Sequence, residues 1–467
     1  MFLLYVAILS ISATRIENIY RKVLFSIYVN TTYVEELEFR YISWENILTF
    51  VIMPPKTIPI PPWYKSSPLG LIPSEWKVEE MKKITTLITN WFVWKATDHY
   101  VAEDGILYIQ WYNAQESGFD FHGVKYVSRE FHEQHKKSQL REGDLLTIQT
   151  WDVGVTAYVT KELEGSNCHA LIISRYINTV AYSKYYHQFF NSPLGRKFLK
   201  IIETGSTMKH LNCGDMETLK LPVPPLEEQV TIANLLSTWD EAILKVLQLI
   251  EQHEQKKLWL MQELLTWKRR LSWFHTEIGL HPVWKYLTEV SERCSDTKCM
   301  KVLSVTNARG FIDQGDQFER AIASQDTSNY KIVRKWQFAY NPSRVNVWSL
   351  DLLRNFESGI LSPMYVVFET DKRFLLSKYF YYQLKSHWFT WRIPMYVQGS
   401  VRDSLSFDWL CGMKFFIPST EEQSRIVDIF EKIDEEIQLL KTKLEKLKEQ
   451  KKWLMQQLLT GKKRLKF

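Results

Sequence analysis

Apolar residues return at steps of three and four through two long stretches of the chain. In the later stretch, Ile426, Phe430, Ile433, Ile437, Leu440, Leu444, Leu447, Leu454 and Leu458 form one stripe, interrupted at Lys451. In the earlier stretch, Ile232, Leu236, Trp239, Ile243, Val246, Ile250, Leu260 and Leu264 keep the same frame, with His253 and Lys257 breaking it. Such spacing keeps one face of an α-helix apolar, and a sustained seven-residue period favours a supercoiled partner helix. Each stretch opens just after a proline, Pro225 or Pro418, with acidic residues in its first turn. Each closes in bases, Lys268-Arg269-Arg270 or Lys462-Lys463-Arg464, a polarity that suits the helix dipole at both ends. Long spacer helices are therefore expected over 225–271 and 418–467. At ~1.5 Å per residue the first would be roughly 70 Å long. Two amphipathic helices in an ordinary core are the alternative, but such length without caps is unusual in a compact domain.

The two stretches align without a gap. Glu227-Glu228-Gln229 falls on Glu421-Glu422-Gln423, Asp240 on Asp434, and Lys257 on Lys451. Trp259-Leu260-Met261-Gln262-Glu263-Leu264-Leu265-Thr266 falls on Trp453-Leu454-Met455-Gln456-Gln457-Leu458-Leu459-Thr460. The preceding segments match sparsely in the same register: Asn113-Ala114 on Asn307-Ala308, Lys184-Tyr185 on Lys378-Tyr379, Ser192 on Ser386, and Gly205-Ser206 on Gly399-Ser400. Gly70-Leu71-Ile72-Pro73 with Trp76 is echoed by Gly279-Leu280-His281-Pro282 with Trp284. Internal repetition of this kind describes architecture before any local reading. The expected organisation is an N-terminal extension (1–60), a first globular domain (61–224), a long helix (225–271), a second globular domain (272–417) and a second long helix (418–467). Runs at 145–148, 170–173 and 365–368 read as buried strands, and 182–199 and 376–389 as short helices, so each domain is α+β. A two-fold relation between the halves makes the helices antiparallel and sets the domains at opposite ends of a spacer. Divergent loops on a shared frame are where recognition sits.

Composition narrows the picture only modestly. A chain of 467 residues, 45% hydrophobic and 24% charged, is that of a folded protein with room for several cores. A net charge of +6 permits a polyanionic partner without requiring one. The 5 cysteines are odd in number and form no C-x-x-C pair, which argues against a disulfide framework or structural zinc and for a reducing cytoplasm. His122, His132 and His135 show no metal-ligand pattern with Cys or carboxylate partners. The first nine residues are apolar but lack a basic segment ahead of them and are too short to span a bilayer, so no membrane anchor is expected. No G-x-G-x-x-G and no phosphate-cradling loop is present, and no cofactor is expected. Asn341-Pro342-Ser343-Arg344 lacks the second Pro and the aromatic residue of the adenine-methyltransferase signature it superficially resembles.

Leu221-Pro222-Val223-Pro224-Pro225-Leu226-Glu227-Glu228-Gln229, Ile232-Ala233, Leu236-Ser237, Asp240 and the paired Leu-Met-Gln-x-Leu-Leu-Thr endings carry a resemblance. So do Tyr64-Lys65 and the Gly70 to Trp76 segment. From about residue 64 onward the chain resembles the specificity (S) subunit of Type I restriction-modification systems. One departure is Trp267, which stands where the second copy has Gly461. The resemblance implies two target-recognition domains in a pseudo-two-fold repeat, separated by two long antiparallel coiled-coil helices. Each domain would read one half of a split site on double-stranded DNA. It implies docking of two methyltransferase (M) subunits, joined by restriction (R) subunits, and no catalysis by the chain itself.

Candidate contacts follow. Gln149, Thr150 and Trp151 lie in a loop after a strand, and Arg344 and Asn346 occupy the corresponding stretch of the second domain. Gln or Asn pairs two-handed with adenine and Arg with guanine. Ser206, Thr207 and Lys209 after Gly205, and Ser400 and Arg402 after Gly399, suit phosphate contact, which fixes register without reading sequence. Glu227, Glu228, Gln229, Glu421, Glu422 and Gln423 either cap their helices or meet the methyltransferase. Two rival readings remain: a coiled-coil scaffold without sequence preference, and a catalytic or specificity part of a related restriction-modification enzyme.

Overall fold

A computed structural model describes residues 39–44, 47–52, 61–90, 96–275, 279–293, 301–307, 309–317, 329–347, 349–397 and 406–465. Most of the expected N-terminal extension lies outside these residues. Its described strands, Phe39–Trp44 and Ile47–Ile52, pair antiparallel.

The chain divides into two units, Met1–Glu79 with Lys220–Pro224, and Glu80–Leu219 with Pro225–Phe467. In the first, Tyr64–Ser67 and Gly70–Pro73 form a hairpin whose turn ends at Gly70, at φ 94°. Lys77–Glu80 pairs with Lys220–Val223. These pairings correct one expectation. The 279–284 segment echoes Gly70–Pro73 in sequence, yet Leu280–Pro282 pairs with Lys414–Phe416, the place that Lys77–Glu80 takes in the first half. Likewise Val283 N donates to Met413 O as Met81 N does to Leu219 O. Strand pairing, not the shared Gly-Leu-x-Pro letters, sets the equivalence.

In the second unit, each half builds one four-stranded antiparallel sheet in the same strand order. The first runs Thr156–Tyr158, Leu145–Ile148, Leu171–Tyr176, Thr85–Thr89. The second runs Leu350–Leu352, Phe338–Tyr340, Val366–Thr370, Leu287–Glu289. Leu145–Ile148 is buried throughout, which is why it reads as an unbroken apolar run rather than an alternating one. Each sheet is followed by a helix pair that meets at a serine: Ser183–Asn191 and Pro193–Ile201 at Ser192, Ser377–Lys385 and His387–Val397 at Ser386. Ser192 Oγ donates to Phe189 O (2.5 Å) and accepts from Gly195 N (3.0 Å). Ser386 Oγ does the same with Gln383 O (2.6 Å) and Phe389 N (3.3 Å). One hydroxyl thus closes one helix and caps the next.

The long helices span Leu226–Leu265 and Thr420–Leu458. Both end with the last residues of the apolar stripe and short of the basic tails that the expected 225–271 and 418–467 spans included, because the chain turns through a left-handed residue, Trp267 (φ 62°) in one copy and Gly461 (φ 70°) in the other. Beyond these, Arg269 N donates back to Glu263 O and Lys463 N to Gln457 O, so the two ends share a geometry. The glycine adopts it freely, whereas a tryptophan there carries strain of about 1–2 kcal/mol. The Trp267 indole packs against Phe416 and under the Arg270 guanidinium, contacts that hold it in place.

The two helices run antiparallel. Arg270 forks onto Glu422 (3.1 and 2.9 Å) and Arg464 onto Glu228 (3.1 and 2.9 Å), one pair at each end. Between them Val246, Ile250 and Leu444 are buried against Ile243, Leu440 and Leu447. Toward the ends, Ile232, Leu236, Ile426, Phe430, Ile433 and Ile437 are buried and Trp239 half-buried. The positions that interrupt the apolar stripe prove to face polar partners on the other helix. Lys257 Nζ donates to Asp434, Lys451 Nζ to Asp240, and His253 Nε2 lies 3.3 Å from Glu436. A slide of one turn would break both lysine pairs together, so they specify register. A double-mutant cycle on Lys257 and Asp434, followed by thermal unfolding, is expected to give a coupling of about 1 kcal/mol, since both groups keep some contact with water. Additive single effects would contradict the pairing.

Candidate nucleic-acid interface

Each globular half packs on its own end of the helix pair. Gln188 Nε2 donates to Asp240 Oδ2 (2.6 Å) in the first half, and Tyr382 Oη to Asp434 Oδ2 (2.9 Å) in the second. The same carboxylates receive the cross-helix lysines, so one carboxylate at each end ties both helices to a head. The repeated glutamines add a further tie. Gln229 Oε1 accepts from Tyr182 N (2.8 Å) and its Nε2 donates to Val180 O (3.0 Å). Gln423 accepts from Leu376 N (2.8 Å) and donates to Phe374 O (2.7 Å).

These bonds bear on the Glu-Glu-Gln motif. Glu228, Gln229, Glu422 and Gln423 are buried and committed within the chain, whereas Glu227 and Glu421 face solvent. Neither glutamine caps its helix. The second helix is capped instead by Ser419 Oγ, which accepts from Glu422 N (3.3 Å), and the first starts after Pro225 without a side-chain cap.

In the first head, two segments singled out separately in the sequence lie side by side. Leu145–Ile148 runs into Gln149-Thr150-Trp151, Thr150 bridges to His210, and Leu211 N donates to Gln149 O (3.1 Å). Thr204 and His210 exchange backbone hydrogen bonds (3.0 Å each) and close a hairpin whose tip exposes Ser206, Thr207, Met208 and Lys209. Gly205, at φ 94°, is required there: a Cβ would meet Met208 O at 2.1 Å. Trp151 sits at φ 73° with 68% of its surface exposed, and its ring stacks on Trp111 at 6.1 Å. A bulky residue in that backbone region costs about 1–2 kcal/mol and persists only where its surroundings enforce it.

The enforcing groups escaped the sequence reading. Asn90 Nδ2 donates to Gln149 Oε1 (3.1 Å). Arg196 Nη1 donates to Val153 O (3.3 Å) while its Nη2 pairs with Glu116 (2.5 Å). Gly154 N closes the loop onto Ile148 O (2.9 Å). Asn90, Trp111 and Arg196 come from three distant parts of the chain, and only the fold reveals their convergence.

In the second head, Arg344 is exposed and its backbone (φ −131°, ψ 21°) kinks the short helical segment Pro342–Val347, which also contains Asn346. Asn341 is buried and its Oδ1 accepts from Ser343 N (3.0 Å), so this side chain holds a turn. Ser400 and Arg402 lie outside the described residues. Among the described residues, no group of three His, Cys, Asp or Glu could hold a metal ion, and no helix is long and apolar enough to cross a membrane.

Two heads with a common sheet and divergent loops are clamped to opposite ends of an antiparallel helix pair. The model of the Type I restriction modification DNA specificity domain matches residues 73–254 and 355–449, and the chain belongs to that family. It is 26% identical over 306 residues to the Type I restriction enzyme MjaVIII specificity subunit of Methanocaldococcus jannaschii, across 60% of this chain and 70% of that protein. It is 29% identical over 212 residues to the putative type I restriction enzyme MjaX specificity subunit of the same organism, across 44% of this chain and 48% of that one. Among solved structures, the Type-I restriction-modification system S subunit from M. genitalium superposes with a TM-score of 0.50 at 16% identity. That match covers 82% of this chain and 96% of the other. A chain from a structure concerned with complex assembly and conformational transition of the type I R-M system gives 0.50 at 13% identity, over 84% and 99%.

Proposed function

We propose that the two heads read the two halves of a split target on double-stranded DNA, and that the helix pair sets the gap between the halves. The observation that carries this is the mirrored clamp of Asp240 and Asp434, which fixes one head at each end of one antiparallel pair. A helix of 40 residues is about 60 Å long, enough to hold two heads at least one turn of DNA apart. In the first head, Gln149, Thr150 and Trp151 face bases, and the Ser206, Thr207 and Lys209 hairpin binds phosphate. In the second, Arg344 and Asn346 supply base contacts, with Ser400 and Arg402 on phosphate.

The same reading makes the chain a non-catalytic subunit that assembles with two methyltransferase subunits, joined by restriction subunits, in the cytoplasm. Support for a partner present twice comes from a repeated surface feature. Trp259 (47% exposed) lies under Arg269, and Trp453 (49% exposed) under Lys463, the same aromatic-cation pair near each helix end. Trp is enriched among the few residues that carry most of the binding energy at protein interfaces. Glu227 and Glu421, both exposed at the opposite helix ends, supply a second repeated contact.

Exchanging residues 85–221 for the equivalent segment of a related subunit tests modularity. One half of the methylated target is expected to change and the other to persist. A change in both halves, or in neither, would contradict the reading.

A further inference from the structure

We infer that Trp151 is a wedge that opens one base step in the target half read by the first head, with Trp111 backing it; this rests on the DNA-reading role proposed above. Three features of the loop point to it. The backbone at Trp151 is left-handed, at φ 73°, and it lifts a large apolar ring 68% into solvent. Folding gains little from such a placement, so the ring is positioned for something outside the chain. The ring is also pre-stacked: Trp111 lies parallel to it, tilted by 20°, and supports a flat aromatic surface. A second planar partner on that surface matches a nucleobase, because stacking on an aromatic ring tolerates any base.

The neighbours separate base from backbone contact. Asp152, exposed next to Trp151, repels phosphate and accepts from an exocyclic amine such as that of cytosine. The adjoining hairpin presents hydroxyls of Ser206 and Thr207 with the Lys209 ammonium, groups that suit phosphate. The Thr150–His210 bridge joins the two, so base-facing and backbone-facing groups are held as one surface. Bases in a duplex are stacked on both faces, and an apolar side chain reaches one only by parting a step, which bends the duplex. Asn90 on Gln149 and Arg196 on the Val153 carbonyl act as positioning residues that keep the loop from relaxing when the ring meets DNA.

The test uses the full chain and duplexes carrying its methylation target, with 2-aminopurine placed at successive positions of the half that follows residues 85–221. Wild-type chain is expected to change the probe's emission at one step only. Trp151→Gly should abolish that change and weaken binding roughly tenfold or more. Glycine favours this backbone conformation, so thermal unfolding should show that the variant stays folded. Trp151→Phe should keep part of the signal, and Arg196→Met should blur it over neighbouring steps. If Trp151→Gly binds like wild type, or no step responds to wild-type chain, the wedge is overturned while the two-headed reading stands. If exchanging residues 85–221 leaves the target unchanged, both fall together.

Discussion

Replacing Phe430 with alanine is expected to destabilise the chain by about 3–5 kcal/mol, the usual range for removing a buried ring from a packed core. Phe430 lies on the second long helix, yet its ring is 0% exposed and stands 4.8 Å from the ring of Tyr382 in the second head. Met261 and Leu264 of the first long helix enter the same core, as do Phe380 and Phe415. This core therefore joins both helices to the head, and loss of the Phe430 ring leaves a cavity in it that rigid neighbours cannot fill. Denaturant unfolding measures the loss. Amide exchange should show Ser377–Lys385 opening along with the helix, because Tyr382 lies on that segment. A cost below about 1 kcal/mol, or exchange confined to the long helix, would mean that head and helices are not one packed body.

A comparable loss, about 3 kcal/mol, is expected from Arg464→Met. The Glu228 side chain is 1% exposed and accepts both arms of this guanidinium. Methionine keeps most of the apolar stem but withdraws the charge that makes burial of a carboxylate tolerable. Arg464→Lys should recover only part, since an ammonium lacks the planar fork that grips two oxygens at once. The effect should change little between low and moderate salt, because so buried a pair is poorly screened. Thermal unfolding of the three proteins side by side distinguishes this from a surface ion pair, for which methionine would cost well under 1 kcal/mol.

The long helices were legible because a stripe such as Ile426, Phe430, Ile433 and Ile437 advertises itself over many turns. Their ends were not. Gly461 signals a left-handed stop, but Trp267 takes the same conformation with no such signal, and only its contacts with Phe416 and Arg270 explain why. His253, Lys257 and Lys451 read as defects in the stripe, because a cross-helix partner is invisible until the antiparallel register is known. The 279–284 echo misled for the opposite reason. Similar letters recur where strand pairing differs, and pairing is a long-range property. At the site, 149–151 and 205–209 each carried a local loop signature. Their adjacency depends on the Thr150–His210 bridge, and their support on Asn90, Trp111 and Arg196, which no local pattern connects to them. Glu228 and Gln229 show how far charge alone can be read. Acids at a helix start suggest capping or docking, yet burial assigns these residues to the clamp inside the chain.

Genome-wide methylation mapping of a host with and without this chain is the most direct measurement of whether two heads share one target. The expected outcome is a single class of modified site, made of two defined blocks separated by a fixed stretch of unspecified bases, that vanishes when the chain is removed. One continuous motif with no gap, or a methylation pattern indifferent to the chain, would contradict it.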